Sequence, residues 1–543
     1  MTGALASATR EWVDILGSEH VISQPNLLKQ AETATFATSH RIQIILRPAN
    51  REQVQECLRV ANRHRAPVYP ISTGKNWGYG SRVPTEDGCS LLDLGRMNRI
   101  VDFSEELAYV TVEPGVTQRQ LFEFLRQRGS GLWMDATGAS PDCSLIGNTM
   151  ERGFGHTPYG DHFAHVCGME VILPEGDSIE TGFGRFGTST TPLYRWGLGP
   201  SLDGLFSQSN LGVVTRMTIW LMPAPEYFQA FFFRCDDERG LPAIIDGMRD
   251  LRLSGTLRSA SHIGNDYKVL SGIRQYPWAE TGGRTPLRPE WMARFRKELN
   301  FGAWNGSGGI YGTKAQVAEA RRLVRKTLRA KVAKIQFLDD RMLGLAERFA
   351  GVYRLVTGWD LSRTLELAKP VYELMKGVPT EKPTASAYWR KPSPPPSDMD
   401  PDRDGCGLLW AAPVTPLAGD HAARLSGLAC DILLAHGFEP MLSLTTVTDR
   451  TLTCVVSISY DRHVPGEDGR AMACYRELQA KLIDHGYHSY RSGVQSRVEM
   501  TGTGTYNRLL ETLKDTLDPR GILSPGRYQS EAAATTESAQ VHC

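Results

Sequence analysis

"ISTGKNWGYGS", residues 71–81, decides the fold; it follows the apolar run "APVYP" and sets glycines at 74, 78 and 80 around Lys75. A mononucleotide P-loop requires G-x-x-x-x-G-K-[ST]. No glycine stands five residues before Gly74, and Asn76 occupies the place of the magnesium-binding hydroxyl. The stretch is therefore no P-loop. A strand leading into Ser72, Thr73, Gly74, Lys75, Asn76, Trp77, Gly78 and Tyr79 instead offers consecutive backbone N–H groups with little side-chain obstruction, a concavity suited to a pyrophosphate. A second glycine-rich stretch, "GNTMERGFGHTPYGDH" from Gly147 to His162, follows about seventy residues later. Two such loops suit a dinucleotide better than a mononucleotide; two ordinary glycine-rich turns are the plain alternative.

The remaining sequence bounds what such a ligand could serve. A chain of 543 residues is long for one domain and predicts two or more packed modules. Its 61 Lys plus Arg nearly cancel 60 Asp plus Glu, so there is no global basic field for nucleic acid or an anionic membrane. No apolar run has the length of a membrane span, and "MTGALASATREWVDILG" lacks the apolar core of a secretory signal. The ten cysteines are scattered, with no C-x-x-C and no metal-ligand spacing. Reduced thiols, a cytoplasmic location and no metal are expected.

Helix and strand signals alternate along the chain. Val54, Cys57, Leu58 and Ala61 fall at helical spacing; "CSLLDL" and "AYVTVEPGV" read as strands, "TQRQLFEFLRQRG" as a helix and "GMEVILPEGDSIETG" as a hairpin. The pattern pauses at Pro223 and Pro225, a domain boundary. Beyond it lie amphipathic helices, one with Val317, Ala320, Leu323 and Val324 on a face, and strands such as "LLWAAPV" and "TLTCVVSISYD". The Pro- and Asp-rich segment 391–404 reads as a surface excursion.

These motifs, in this order, resemble one family. "STGKNWGYGS", "VEPGVT", "GNTMERGFGHTPYGDHF", "GMEVILPEGD", "LDGLFSQSNLGVVTRMTIWLMP", "YHSYR" and "LDPRGILSPGR" are similar to the vanillyl-alcohol oxidase and 4-cresol methylhydroxylase group of FAD enzymes, from "ILRPAN" to "ILSPGRY", nearly the whole chain. The resemblance implies an α+β protein: a two-part FAD-binding domain (1–225 and 496–530) with an inserted α+β cap (226–495) and a flexible tail (531–543). It also implies that Ser72, Thr73, Gly74, Lys75, Asn76, Gly78 and Tyr79 cradle the pyrophosphate, that Gly147, Asn148, Glu151, Gly160 and Val214 line the cofactor, and that Arg527 lies near the isoalloxazine.

Flavin accepts a hydride, and in this family the substrate is usually a para-alkylated phenol. A free phenol titrates near about 10, so the site must favour the phenolate; an Arg and two Tyr hydroxyls do so by charge and hydrogen bonding. The matching residues are Tyr79, Tyr490 and Arg491. The plain alternative is a Tyr packed on flavin and an Arg in a surface ion pair. Hydride loss from the benzylic carbon then gives a quinone methide.

The departures from the family's pattern shape the rest. Ala139 stands where an acidic residue would face the flavin, with Asp142 nearby as a rearranged substitute or a solvated loop carboxylate. Thr453 and Cys454 replace a histidine pair. Leu408 replaces the histidine that carries flavin, whereas Tyr388 matches the tyrosyl link of the cresol branch or is an aromatic core residue. His156 replaces a tyrosine, as a substrate contact or a packed core histidine. With these base positions lost, directed addition of water to a quinone methide is disfavoured. Oxidative decarboxylation of a tyrosine-like, acyl-blocked acid, in secondary metabolism, is the expected outcome. The alternatives are 4-alkylphenol hydroxylation or 4-hydroxybenzylic alcohol oxidation, oxidation of a non-phenolic alcohol, and flavin binding without turnover. Oxygen or an electron-transfer protein is the expected acceptor, and a homodimer the expected assembly.

Overall fold

The computed structural model describes residues 3–345, 361–496 and 504–529; the expected tail, 531–543, lies outside them. Two larger sheets and a two-stranded pair, Leu132–Trp133 with Met222–Pro223, come from the first part of the chain. A four-stranded sheet runs in the order Val21–Ile22, Ile42–Leu46, Cys89–Asp93, Val68–Ile71, the last three parallel. The helix Arg51–His64 covers it, starting where the Asn50 side chain accepts the Gln53 N–H. It buries Val54, Cys57, Leu58 and Ala61, the stripe its sequence spacing predicts. A five-stranded antiparallel sheet follows: Ile100–Ser104, Tyr109–Val112, Val213–Trp220, Val166–Ile172, Ser178–Glu180. Its last pair is the predicted hairpin.

Beyond Pro225 the chain builds an eight-stranded antiparallel sheet. Seven strands run in the order Lys334–Leu338, Tyr227–Cys235, Trp304–Gly312, His262–Asn265, Met441–Thr445, Thr451–Asp461, Cys406–Ala411, and Val414–Pro416 pairs with Thr451–Asp461. Side chains alternate between its faces. Phe231, Phe233 and Cys235 enter a large core shared with the helices Leu241–Leu253, Lys314–Leu328, Gly419–Ala435 and Glu467–Asp484. Phe232, Arg234, Asn305, Ser307, His262, Gly264, Ser443 and Thr445 face the other way, and the pairing register sets them side by side across the sheet. Apart from Phe232, that face is built of polar residues and glycine, and it forms the wall of a cavity.

The chain then returns to the first sheet. Val68 N–H donates to the Ile522 carbonyl and Ser524 N–H to the Val68 carbonyl, both at 2.8 Å. The motif "LDPRGILSPGR" has a physical reason here. Buried Asp518 accepts the N–H groups of Ile522 and Leu523 (2.9 Å each) and pairs with Lys514 at 2.6 Å. This closed turn presents Arg527 to the cavity.

Segment 391–404 is a surface excursion only in part. Residues 392–398 are mostly exposed, but Pro401 is buried, Asp402 accepts from the Ser81 hydroxyl at 2.8 Å and Asp404 from the Tyr388 hydroxyl at 2.5 Å. Its end ties the cap to the glycine-rich loop.

Candidate active site

Between the eight-stranded sheet and the two smaller ones lies a cavity of about 1180 Å³. The glycine-rich loop enters it at the C-terminal end of a parallel strand, the usual ligand position in such sheets. Ser72, Thr73, Gly74, Lys75 and Asn76 line it, and Gly74 takes φ +71°, which favours glycine. The second loop is tied to the first: Thr73 Oγ1 accepts the Ser144 N–H at 3.1 Å, and Ser144 Oγ accepts the Gly147 N–H at 2.9 Å. A Cβ at Gly147 would stand 2.3 Å from Ser72 Oγ, so a larger residue there would displace the Ser72 hydroxyl where the loops meet. Gly147, Asn148, Glu151, Val214 and Arg527 also line the cavity.

At one end of the cavity Arg491 lies over the Tyr79 ring, 4.0 Å from its centroid. Its Nη2 donates to Asn76 Oδ1 at 2.6 Å and stands 3.6 Å from Glu151. Its side chain is 9% exposed, which removes the surface ion-pair alternative. Burial opposes the charge of Arg491, but Tyr490, Glu151 and Tyr79 outweigh it and hold its pKa above the ordinary guanidinium range. Burial raises both Tyr79 and Tyr490 above the usual phenol value, and the two phenols stand close enough to raise Tyr79 further. Both hydroxyls therefore remain protonated donors. Glu151 is the anionic hub: it accepts from Arg527 at 2.8 Å and from the Tyr528 hydroxyl at 2.6 Å. Burial pushes the Glu151 pKa up, and Arg527 and Arg491 more than offset this, leaving it below the ordinary glutamate value.

Two histidines form the adjoining wall. His156 and His262 stack with ring centroids 4.1 Å apart, and Phe154 lies between His262 and Tyr490, 6.5 and 5.7 Å from them. The His156 Nδ1 donates to the Ala136 carbonyl at 3.1 Å, which leaves Nε2 as an acceptor. Burial lowers the pKa of both rings, His262 well below the ordinary histidine value, so both are neutral at pH 7. Buried Asp135 fixes the loop that carries His156: it accepts the N–H groups of His156 and Thr157 and pairs with His162 at 2.6 Å. The wall thus carries two neutral imidazoles although the family's base positions are replaced. Ala139 lines the cavity and Cys454 sits in the core behind the sheet; His156, expected as a substrate contact or a packed histidine, lines it too, and so does His262, which no aligned position marks.

Gly78 and Gly160 fall elsewhere than expected, while Asp142 and Tyr388 take the second of the two readings their sequence offers. Gly78 does not line the cavity; it packs against the Trp410 ring, which a Cβ there would meet at 2.9 Å, and Trp410 lines the cavity instead. Gly160 closes a turn, donating to the Thr157 carbonyl and accepting from Gly155 N–H. Asp142 is drawn out of the cavity by Arg119, 2.8 Å away on the surface, and its pKa is lowered by that contact. Tyr388 is buried with Trp77, Ala387, Cys406 and Leu408, and its hydroxyl donates to Asp404, not to the cavity.

The cavity fits FAD by its own chemistry. Tyr79 Oη, Arg491 Nε, His262 Nε2 and Trp410 Nε1 are buried polar atoms without a hydrogen-bond partner among the described residues, all on its wall. Such atoms are costly unless a ligand satisfies them. Its volume exceeds what a drug-sized molecule fills, leaving room for a dinucleotide and a substrate together.

A split α+β architecture, a glycine-walled cleft and a cationic inner end define a flavoprotein, and residues 42–182 match the FAD binding domain family. The chain is 46% identical over 530 residues to 1'-carboxy-chondrochloren decarboxylase of Chondromyces crocatus, covering 97% of this chain and 98% of that one. It is 31% identical over 537 residues to the 4-cresol dehydrogenase [hydroxylating] flavoprotein subunit of Pseudomonas putida (97% and 95%). Among solved structures, p-cresol methylhydroxylase with substrate bound superposes with a TM-score of 0.87 at 29% identity (98% of each chain). The 4-ethylphenol oxidase of Gulosibacter chungangensis in complex with isoeugenol gives 0.88 at 30% (97% and 98%). The chain belongs to the vanillyl-alcohol oxidase and 4-cresol methylhydroxylase family of FAD-dependent oxidoreductases. Among the described residues no helix is long and apolar enough to cross a membrane.

Proposed function

We propose that the protein oxidises a para-substituted phenol, with oxidative decarboxylation of a tyrosine-like, N-acylated acid as its specific reaction. The observation that carries the phenol reading is the buried Arg491 guanidinium beside two protonated tyrosine hydroxyls, with Tyr79 Oη and Arg491 Nε unpartnered. A neutral alcohol does not call for that cation. The decarboxylation is supported by the relative named as a decarboxylase.

In this reading residues 1–225 and 496–530 hold the cofactor and 226–495 form the cap. Ser72 to Asn76 receive the pyrophosphate, Gly147, Asn148, Glu151 and Val214 line the dinucleotide, and Arg527 approaches the isoalloxazine. Bound FAD supplies a two-electron acceptor for hydride. Arg491 supplies positive charge at the phenolic oxygen, and Tyr79 and Tyr490 donate hydrogen bonds to the same anion, lowering its pKa from about 10. Electron density pushed through the ring then makes the benzylic hydride labile. Oxygen or a separate electron carrier is the proposed final acceptor.

Hydration is the second reading, favoured by His262 Nε2, an unpartnered nitrogen on a neutral ring that can position water. Turnover of an N-acyl-tyrosine in heavy-oxygen water separates the two. The proposal expects carbon dioxide in proportion to substrate and no heavy oxygen in the alkene product. Heavy oxygen in the product without carbon dioxide would establish the hydroxylase.

Attachment of the flavin is a separate expectation. Leu408 and Tyr388 both lie in the cluster behind the cavity wall. Acid precipitation is therefore expected to leave FAD in the supernatant. Flavin that stays in the pellet and is lost in Tyr388→Phe would establish a tyrosyl link, and retention in that variant would place the link on another residue.

A further inference from the structure

Lys268 lines the cavity together with Lys75, Lys382, Arg491 and Arg527. It lies on the helix Asp266–Ile273, whose first turn is fixed by the Asn265 side chain accepting the Lys268 N–H. Its stem crosses the sheet beside Gly264: a Cβ at Gly264 would be 3.5 Å from Lys268 Cγ. Gly264 is two residues beyond His262 on the same face of its strand, about 7 Å along the wall. Phe154 thus neighbours both Tyr490 and His262, and the Lys268 stem lies beside Gly264 on the strand that carries His262.

The ammonium has little company. Its hydrogen bond goes to the Ser386 hydroxyl at 3.4 Å, and it forms no ion pair with a carboxylate of the described residues. Arg491 and Arg527 each have Glu151. Burial alone lowers the Lys268 pKa to about 8, with no neighbouring charge to restore it. A partly buried cation facing a cavity without a counter-ion is costly unless a ligand brings one.

We propose that Lys268 is the anchor for the substrate's carboxylate, so that a phenolate held at Arg491 and a carboxylate held at Lys268 fix the two ends of one acid. The inference rests on the phenol-oxidation reading above and deepens it to substrates with an anionic group beyond the benzylic carbon. The step it serves is balanced. The benzylic carbon gives a hydride to FAD and becomes part of a quinone methide. The bond from the adjacent carbon to the carboxylate then breaks, its electron pair forms the side-chain double bond, the ring returns to the phenolate, and carbon dioxide leaves. An ion pair at Lys268 sets the direction of the breaking bond relative to the ring.

The test compares an N-acyl-tyrosine with the N-acyl-tyramine of the same acyl group on the holoenzyme, by calorimetric titration and by turnover. The wild type is expected to prefer the acid. Lys268→Met should lower the acid-to-amide ratio of affinities and of kcat/KM by about ten- to a hundredfold, the weight of one charge-assisted contact. Lys268→Arg should keep most of the preference. Affinity for the acid should fall as pH rises through about 8 in the wild type, where the free ammonium loses its proton, and that limb should move to higher pH in Lys268→Arg. An unchanged ratio in a natively folded Lys268→Met, or a wild type that takes both compounds alike, would overturn the anchor while leaving phenol oxidation standing. A wild type that oxidises neither would overturn both.

Discussion

Arg491→Ala is expected to lower kcat/KM for a 4-alkylphenol by about ten- to a hundredfold, the loss of one charge-assisted contact worth about 1.5–3 kcal/mol. The guanidinium is held by Asn76 below and lies over the Tyr79 ring, so its position is set before substrate arrives. Alanine removes the charge that makes the phenolate affordable. Arg491→Lys keeps a point charge but loses the planar fork that can meet Asn76 and a phenolate together. Lysine should therefore fall between alanine and wild type. Steady-state kinetics with one phenol on the three proteins decides the order; near-normal turnover by Arg491→Ala would place the anion site elsewhere.

Glu151→Ala should be the most damaging change to stability. Its carboxylate pairs with Arg527 at 2.8 Å, approaches Arg491 at 3.6 Å and accepts from Tyr528. Both guanidiniums are nearly buried, with side chains 6% and 9% exposed. Removing the carboxylate leaves two uncompensated buried cations, a loss of about 3–5 kcal/mol for a broken buried pair. Urea unfolding of the apoprotein should show the lower midpoint, and Glu151→Gln should recover part of it by keeping an acceptor for Tyr528. The linkage has a definite sign. Because the folded-state pKa of Glu151 is lowered, its contribution is present at neutral pH and is lost as pH falls through the acid range below its ordinary value. The deficit of Glu151→Ala relative to wild type should therefore shrink toward low pH.

Much of this was legible because the cofactor face is written in local sequence. Ser72 to Asn76, Gly147 and Arg527 sit in short motifs with local backbone constraints, as the positive φ of Gly74 shows. Tyr490 and Arg491 are adjacent, so one motif brings both. His262 and Lys268 lie in "SHIGNDYK", which carries no such pattern. Their placement depends on strand register: His262 pairs with Ser307 and Thr445, which fixes the face it shares with the cavity. A lysine in a short helix reads as a solvated residue until the sheet beneath it is known. For Asp142 and Tyr388 the sequence leaves two readings open, and contacts distant in the chain decide between them. Counting along the chain puts them near the flavin, but Arg119 and Asp404, distant or hidden in an insertion, turn them away.

Anaerobic addition of a para-substituted phenol to the purified protein tests the central claim most directly. The protein should be yellow, with one FAD per chain, and its visible flavin band should bleach in a single turnover on adding the phenol, with no bleaching by a non-phenolic alcohol of similar size. A flavin band that persists with every para-substituted phenol, or that bleaches with the non-phenolic alcohol instead, would contradict the assignment of Arg491, Tyr79 and Tyr490 to a phenolate.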